Sequence, residues 1–257
     1  MRSMKIRARA AVILTSLTTL LLAGWLQPGM ARGQRPPAMN PGAQQPDQAA
    51  VIHSIDAAIA ARVDNVLSFS DVEHYAVYRG GDETHPVAEM TVRDDYKKGV
   101  GKVYTVLSES GSSIILRFGL KPQLENEKTI NLPGNVEKSW FTSANYAMTL
   151  KPGGVQKLDG RDCYVLDVTA RVAAPNLIIG TLWADARDGS IVQIDGVSSK
   201  SPSAFAGTTH LMRQYANISG FSMAMHARVE STSVLFGRTV VKIDYSDYQL
   251  QLRANSR

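Results

Sequence analysis

Two hydrophobic repeats follow one another along this chain. In residues 49–67 apolar side chains recur every three or four positions, at Ile52, Ile55, Ile59 and Val63. This spacing predicts an amphipathic helix. From about residue 72 onward, short runs rich in β-branched and aromatic residues are separated by glycine-containing turns. That second pattern predicts β-strands joined as hairpins.

The strand-like runs continue at hairpin spacing almost to the end of the chain. They are predicted at residues 72–79, 87–96, 102–109, 113–118, 140–150, 155–158, 162–171, 177–185, 190–197, 208–219, 221–232 and 238–250. The remaining helix candidate is Lys121–Thr129. The sequence therefore predicts a mainly β fold with few helices, built on a single curved antiparallel sheet. Because an open apolar face is a liability in water, we expect a half-open β-barrel covered by the N-terminal amphipathic helix.

The stretch GTLWADARDGSIVQIDG, residues 180–196, contains two acidic residues around a predicted turn. A calcium loop would need more oxygen ligands at fixed intervals and a closing glutamate, which this stretch lacks. Asp188-Gly189 instead favours the positive φ angles of a tight hairpin turn. We therefore predict a structural corner here.

The N-terminal part of the chain has a different composition. Residues 1–31 combine a basic start, an apolar run and small residues before a cleavage point near Ala31, which predicts a cleaved secretory signal peptide. Residues 32–47, rich in Pro, Gly and Gln, predict a disordered linker, followed by one domain at residues 48–252. Removing the four basic residues of the signal lowers the formal charge from +5 to +1, so no nucleic-acid-binding footprint remains.

A search for catalytic or metal-binding patterns finds none that fits its context. Residues 220–224 read G-x-S-x-A within a strand-like run, without the helix that a nucleophile elbow requires. His210 and His226 could meet across strands, but without a third ligand they make a weak zinc site. Asp94 and Asp95 are adjacent on a strand and so point to opposite faces, which predicts solvated edge positions. We expect no enzyme activity, no cofactor and no metal.

Two stretches carry a resemblance to a known family. Leu182-Trp183-x-Asp185, the Asp188-Gly189 turn and the strand at residues 191–194 are similar to a hairpin of the outer-membrane lipoprotein-sorting and carrier superfamily (LolA/LolB-like). Residues 158–166, LDGRDCYVL, resemble the family's preceding strand. The resemblance implies a half-barrel whose concave face holds acyl chains under helical lids, and it implies no catalytic residue.

The function implied is that of a periplasmic carrier that binds lipid or lipoprotein acyl chains. The alternative is a non-enzymatic periplasmic interaction or sensor module that binds a protein segment in the same groove; a basic rim of Arg171, Arg213 and Arg228 would serve either. We expect a monomer, with an envelope membrane protein as a further partner. The predicted cavity-lining residues are Phe221, Met223, Met225, Val241, Ile243, Tyr245 and Trp183.

Export is directly testable. N-terminal sequencing of protein recovered from the periplasmic fraction should begin near Arg32, because the segment before it has the features of a cleaved signal. Protein that keeps Met1 in the membrane fraction would contradict the prediction.

Overall fold

The computed structural model describes residues 46–201, 206–233 and 237–254, with only the backbone described for residues 206–208 and 233. The predicted signal peptide, residues 1–31, and all but the last two residues of the predicted linker, residues 32–47, lie outside the described residues. Within the described part, no helix is both long and apolar enough to cross a membrane.

Ten antiparallel strands form one sheet, in the order β3-β2-β1-β10-β9-β8-β7-β6-β5-β4. The strands are β1 (Val66–Arg79), β2 (Ala88–Lys97), β3 (Gly101–Gly111), β4 (Tyr146–Leu158), β5 (Arg161–Ala170), β6 (Ile178–Asp185), β7 (Ile191–Ser198), β8 (Ala206–Ile218), β9 (Phe221–Ser233) and β10 (Gly237–Leu252). In the described part of the chain β3 and β4 are the edges, and they do not pair with each other. The predicted fold class, one curved and unclosed antiparallel sheet with few helices, is confirmed.

Helix α1 (Gln48–Asn65) lies on one face of this sheet. Its buried residues Val51 and Ile55 pack against side chains of β4 to β7, with Ile52 and Ile59 partly buried beside them. Polar contacts fix the helix as well, since Asp56 accepts hydrogen bonds from the backbone N–H and the hydroxyl of Ser143, at 2.9 and 2.6 Å. The predicted amphipathic helix therefore covers the sheet as expected.

The segment 113–130, called here the cover segment, is helical throughout. It contains α2 (Ser113–Ile115), a π-helical turn (Leu116–Leu120) and α3 (Lys121–Ile130). The strand predicted at residues 113–118 is therefore wrong, whereas the predicted helix at Lys121–Thr129 is present. The physical reason is the recurrence of Leu116, Leu120 and Leu124 every four residues, which gives a helix one apolar stripe to bury against the sheet.

One further detail differs from the predicted strands. Residues 140–150 and 155–158 were expected to form two strands, but β4 is one strand with an irregularity between Leu150 and Val155. The chain before it contains a 3₁₀ turn (Val136–Ser139). The loop PGG at residues 152–154 thus bends a strand and does not end it, as extra residues do in a bulge.

The corner at Asp188-Gly189 is a tight turn between β6 and β7. Gly189 has φ of 74° and its N–H donates to the carbonyl of Asp185 at 2.9 Å. The buried carboxylate of Asp185 accepts hydrogen bonds from the backbone N–H and the guanidinium of Arg187. The turn also packs closely on α1, because a Cβ at Gly189 would overlap the backbone of Ser54. The corner joins the sheet to its covering helix.

We predict that Gly189→Ala lowers the free energy of unfolding by about 2–4 kcal/mol, because it combines left-handed backbone strain with overpacking against α1. Gly160→Ala is the matched control: its φ is 78°, but no atom lies within 4 Å of the added Cβ, so it should cost only about 1 kcal/mol. Urea unfolding of both variants makes the comparison. Equal losses would show that the turn does not press on the helix.

Candidate ligand-binding site

One row of cross-strand neighbours runs over the same face of all ten strands. From β4 to β3 it consists of Leu150, Leu166, Leu182, Ile194, Arg213, Ala227, Ile243, Tyr75, Met90 and Glu109. Directly paired residues of neighbouring strands share a face, so this row defines the covered face of the sheet. Its interior is apolar except at Arg213.

Two separate cores lie on this face. The first core is formed by β4 to β7 under α1 and includes Leu166, Leu182 and Ile194. The second core is formed by β1, β2, β9 and β10 under the cover segment, and includes Tyr75, Met90 and Ile243. The covered face is therefore packed by two different helical elements, one on each half of the sheet.

Strand β8 lies between the two cores and differs from its neighbours. No side chain of residues 209–218, the described part of this strand, is buried. Its residues on the covered face are Leu211, Arg213 and Tyr215, which we call the central strip; all three are half-buried. On either side of Arg213, Ile194 and Ala227 are almost fully buried. The middle of the covered face is therefore less tightly closed than its two halves.

Arg213 is the charged residue of the central strip. Its Nε atom is buried and has no hydrogen-bond partner, and the nearby Tyr245 and Tyr215 favour the charged guanidinium and so raise the pKa of Arg213. No carboxylate forms an ion pair with it within the described ranges. Glu127 acts on Arg213 only from beyond ion-pair distance, and a partly buried cation without a carboxylate in contact is costly unless another group supplies that charge. The strip thus offers an apolar surface with one cation in its middle.

A cavity of about 380 Å³ opens at one end of the sheet, between the end of α3 and the loop that follows β5. Its apolar lining includes Ile130, Ala174 and Leu177, and its polar lining includes Lys138 and Arg171. Leu177 belongs to the first core and Ala174 packs against it. The cavity therefore connects solvent with the edge of the covered face.

Three of the predicted cavity-lining residues lie on the covered face. Ile243 and Tyr245 belong to the second core, and Val241 packs against it. Val241 pairs with Val229, which in turn pairs with Leu211 of the central strip. The structure therefore brings these three residues together and close to the strip, while their contact with a ligand remains a prediction.

The other four predicted residues lie outside the two cores. Met223 is buried in a third cluster with Val66 and Phe69, and Phe221 packs against it. Met225 stands at a register shift between β8 and β9, which interrupts the period-two alternation assumed for this strand. Trp183 is paired with neighbours of the opposite face, next in sequence to Leu182 of the covered face.

The covered face also holds a cluster of charged residues at the other end of β1, β2 and β3. Asp71, Glu73 and Asp94 are exposed by only 2%, 1% and 0%. Lys102 lies with its Nζ 2.6 Å from Oδ2 of Asp94 and 3.3 Å from Oε1 of Glu73. The Tyr75 hydroxyl donates to Glu73. The prediction that Asp94 is a solvated edge residue is wrong; Asp95, on the opposite face, is exposed.

Burial changes the protonation of this cluster. Desolvation raises the pKa of Asp71 to about 8, with the negative charge of Glu73 adding to the effect. Desolvation also raises the pKa of Asp94 to about 6, even though the Lys102 ammonium opposes the shift. The cluster is thus a place where the folded protein favours protons or another cation.

Sequence reasoning missed both polar features of the covered face. Arg213 was expected on a basic rim, although its alternation with Leu211 and Tyr215 places it on their face. The alternating run Asp71, Glu73, Tyr75 was a usable pattern, because it puts two carboxylates on the same face as a tyrosine. Both features depend on which face is covered, which the strand pattern alone does not decide.

The raised pKa values predict how stability depends on pH. An ordinary carboxyl group is ionised above about pH 4 when the chain is unfolded, whereas Asp71 in the folded protein keeps its proton to about pH 8. The folded state binds more protons over this window, so the free energy of unfolding falls as pH rises through it.

We expect the wild type to be less stable at pH 8 than at pH 5.5 by on the order of 2 kcal/mol. A chelator is present in both measurements, so that no metal ion competes with protons for the carboxylates. Asp71→Asn should remove most of this difference, since the amide does not ionise. Asp95→Asn, an exposed neighbour, should leave it unchanged. Urea unfolding at both pH values measures the effect; an undiminished pH response in Asp71→Asn would refute the assignment.

Comparison with known proteins finds similarity at the level of structure. No family model matches the sequence, and no curated protein matches it. A LolA superfamily protein from Nitrosomonas europaea is 13% identical, with 80% of this chain and 94% of that chain covered and a TM-score of 0.41. A DUF1329 family protein from Desulfovibrio piger is 16% identical, with 78% and 93% covered and a TM-score of 0.40.

A third similar structure is an outer membrane lipoprotein-sorting protein domain from Vibrio parahaemolyticus. It is 14% identical, with 80% of this chain and 94% of that chain covered and a TM-score of 0.45. These three are structures to which the chain is similar, and the LolA/LolB-like superfamily stays a resemblance stated from the sequence.

Proposed function

We propose that this protein is a non-enzymatic periplasmic carrier that holds an acyl chain on the covered face of its sheet, along the central strip. The observation that carries the proposal is β8: it is the sixth strand from the β3 edge of a ten-stranded sheet, yet none of its described side chains is buried. The halves of the face on either side of β8 are packed under different elements, one under α1 and the other under the cover segment. An acyl chain bound between these two elements would bury the side chains of the central strip.

The energetics favour an acyl chain as the occupant. Each methylene group moved from water to an apolar surface contributes about 0.8 kcal/mol. Leu211 and Tyr215 already pack against the first core, and Val229 and Val241 lie on the other side of the strip. Since these side chains are only half-buried, a ligand can add apolar contacts here without displacing a packed residue.

Arg213 narrows the ligand to an amphiphile with an anionic group. Its guanidinium has no carboxylate partner within the described ranges, so a ligand carboxylate or phosphate can supply the missing charge and hydrogen bonds. The 380 Å³ cavity provides a route to the first core, and Lys138 and Arg171 at its wall attract the same sign of charge. The predicted export signal places this activity in the periplasm.

A second candidate is an interaction module that binds a protein segment at the edge of the sheet, and so differs from the module expected from the sequence, which would bind its segment in the groove. The observation that favours it is the edge strand β3, where Val103, Val106 and Leu107 are exposed. An exposed edge strand can add a strand from another chain. This candidate predicts that a bound peptide protects the backbone amides of β3 from hydrogen exchange, with no effect on the central strip.

The carrier proposal predicts selective binding of a fluorescent fatty acid. Arg213→Leu should weaken binding of the fatty-acid probe at least tenfold, because the carboxylate loses its partner, while binding of the matching fatty alcohol changes little. Arg93→Leu is the control, since Arg93 is exposed on the opposite face. Fluorescence titration gives the affinities, and circular dichroism checks that each variant keeps its β structure.

Each outcome has a definite meaning. If the wild type binds neither probe, the carrier function is wrong. If Arg213→Leu and Arg93→Leu bind the fatty acid equally well, the anionic group does not meet Arg213. If a folded Arg213→Leu variant loses binding of both the fatty alcohol and the fatty acid, the central strip binds the acyl chain without recognising the charge of its carboxylate.

A further inference from the structure

We propose that Asp71, Glu73 and Asp94 form a binding site for one calcium ion on the covered face, at the β1–β2–β3 end of the sheet. This inference is independent of the carrier function, since it concerns different residues. The site is assembled by cross-strand pairing: Asp71 lies directly opposite Asp94, and Glu73 follows two residues along β1, so its side chain points to the same face.

The geometry suits a single cation. One carboxylate oxygen from each of the three residues lies within 4.8 Å of an oxygen from each of the others, and all three side chains are buried. Oxygen ligands that share one ion at 2.3–2.6 Å are separated by distances of this order.

The net negative charge of the cluster favours binding of a divalent cation. When all three carboxyl groups are ionised they face one ammonium, that of Lys102, which pairs with Glu73 and Asp94. Two negative charges are then uncompensated in a region shielded from water. On the cover segment, Glu127 accepts a hydrogen bond from the Tyr104 hydroxyl at 3.4 Å and brings more negative charge to Asp94. A doubly charged cation balances the three carboxylates and Lys102.

Asp71 provides the second, independent indication of a ligand. Glu73 has the Tyr75 hydroxyl and Lys102, and Asp94 has Lys102, but neither oxygen of Asp71 has a hydrogen-bond partner. A buried carboxylate without a partner carries the full cost of its desolvation. Because one oxygen of Asp71 lies within 4.8 Å of an oxygen of each of the other two carboxylates, a shared cation would satisfy it.

The donor set favours calcium over other metals. All three ligands are carboxylates, which select hard cations, and no described histidine or cysteine belongs to the cluster. Magnesium requires near-ideal octahedral geometry and gives up its water reluctantly, whereas calcium accepts irregular sites with six to eight oxygens. The ammonium of Lys102 lies 2.6 Å from Asp94 and so occupies part of the space around the carboxylates. This makes the regular octahedral coordination of magnesium difficult, and calcium is therefore preferred.

The test uses the full exported chain after chelator treatment. Calcium titrated at pH 7.5 in 150 mM NaCl should bind at one site per chain with a Kd below about 1 mM, and it should raise the thermal unfolding midpoint by several degrees. Asp71→Asn should weaken calcium binding at least tenfold. The exposed neighbour Asp95→Asn should bind as the wild type does, and magnesium should bind more weakly than calcium.

A measurement on the wild type alone covers the case in which Asp71→Asn fails to fold. Tyr75 and Tyr104 adjoin the cluster, so terbium bound there should emit after excitation of tyrosine, and calcium should displace it. The proposal is overturned if calcium and terbium both fail to bind the wild type. It is equally overturned if a folded Asp71→Asn variant binds calcium as tightly as the wild type, since the ion would then lie elsewhere.

Discussion

An open antiparallel sheet with one apolar face is the constraint on which this structure depends. Ten strands pair in a single layer, and neither a second sheet nor a closed barrel removes their apolar face from water in the described part of the chain. The helical α1 and cover segment must therefore supply the opposite side of the core. Because two elements share this task, the face has two cores, and the boundary between them falls on β8.

Polar residues on the covered face gain their importance from that arrangement. On an exposed sheet, Arg213 or Asp71 would be solvated and have little consequence. On a face closed by helices, each must find a partner or carry the cost of desolvation. The two features also differ in sign and place: a cation between the cores, and a group of carboxylates at the far end of β1 and β2. The covered face is apolar for most of its extent but chemically distinct at its middle and at one end.

Much of the fold could be predicted because its information is local. Strand positions follow from alternation and from glycine turns, and most of the predicted strands lie within a few residues of the observed ones. The failure at residues 113–118 is instructive: Ile114, Ile115 and Leu116 favour a strand locally, whereas the helix is decided by Leu120 and Leu124, which bury against a sheet formed by distant residues. Local preference yields to tertiary packing there.

The site was harder to predict for the same reason. Alternation correctly placed Asp94 and Asp95 on opposite faces, but only the position of the covers decides which of them is buried. A register shift at Met225 rotates part of β9 and separates Met223 from Ile243, although both occupy equivalent positions in a simple alternating pattern. Such irregularities are set by the geometry of the whole sheet, and short sequence patterns do not record them.

The order of the strands has one more consequence. The two edges, β3 and β4, are consecutive in sequence, so the chain between them, residues 112–145, runs from one border of the sheet to the other and carries the cover segment on its way. That segment is a strap fastened at both ends. If its leucines leave the sheet, it stays at high local concentration and returns by an intramolecular step. Because the strap ends at both borders, the chain that covers the second core is anchored at β3 and at β4 alike.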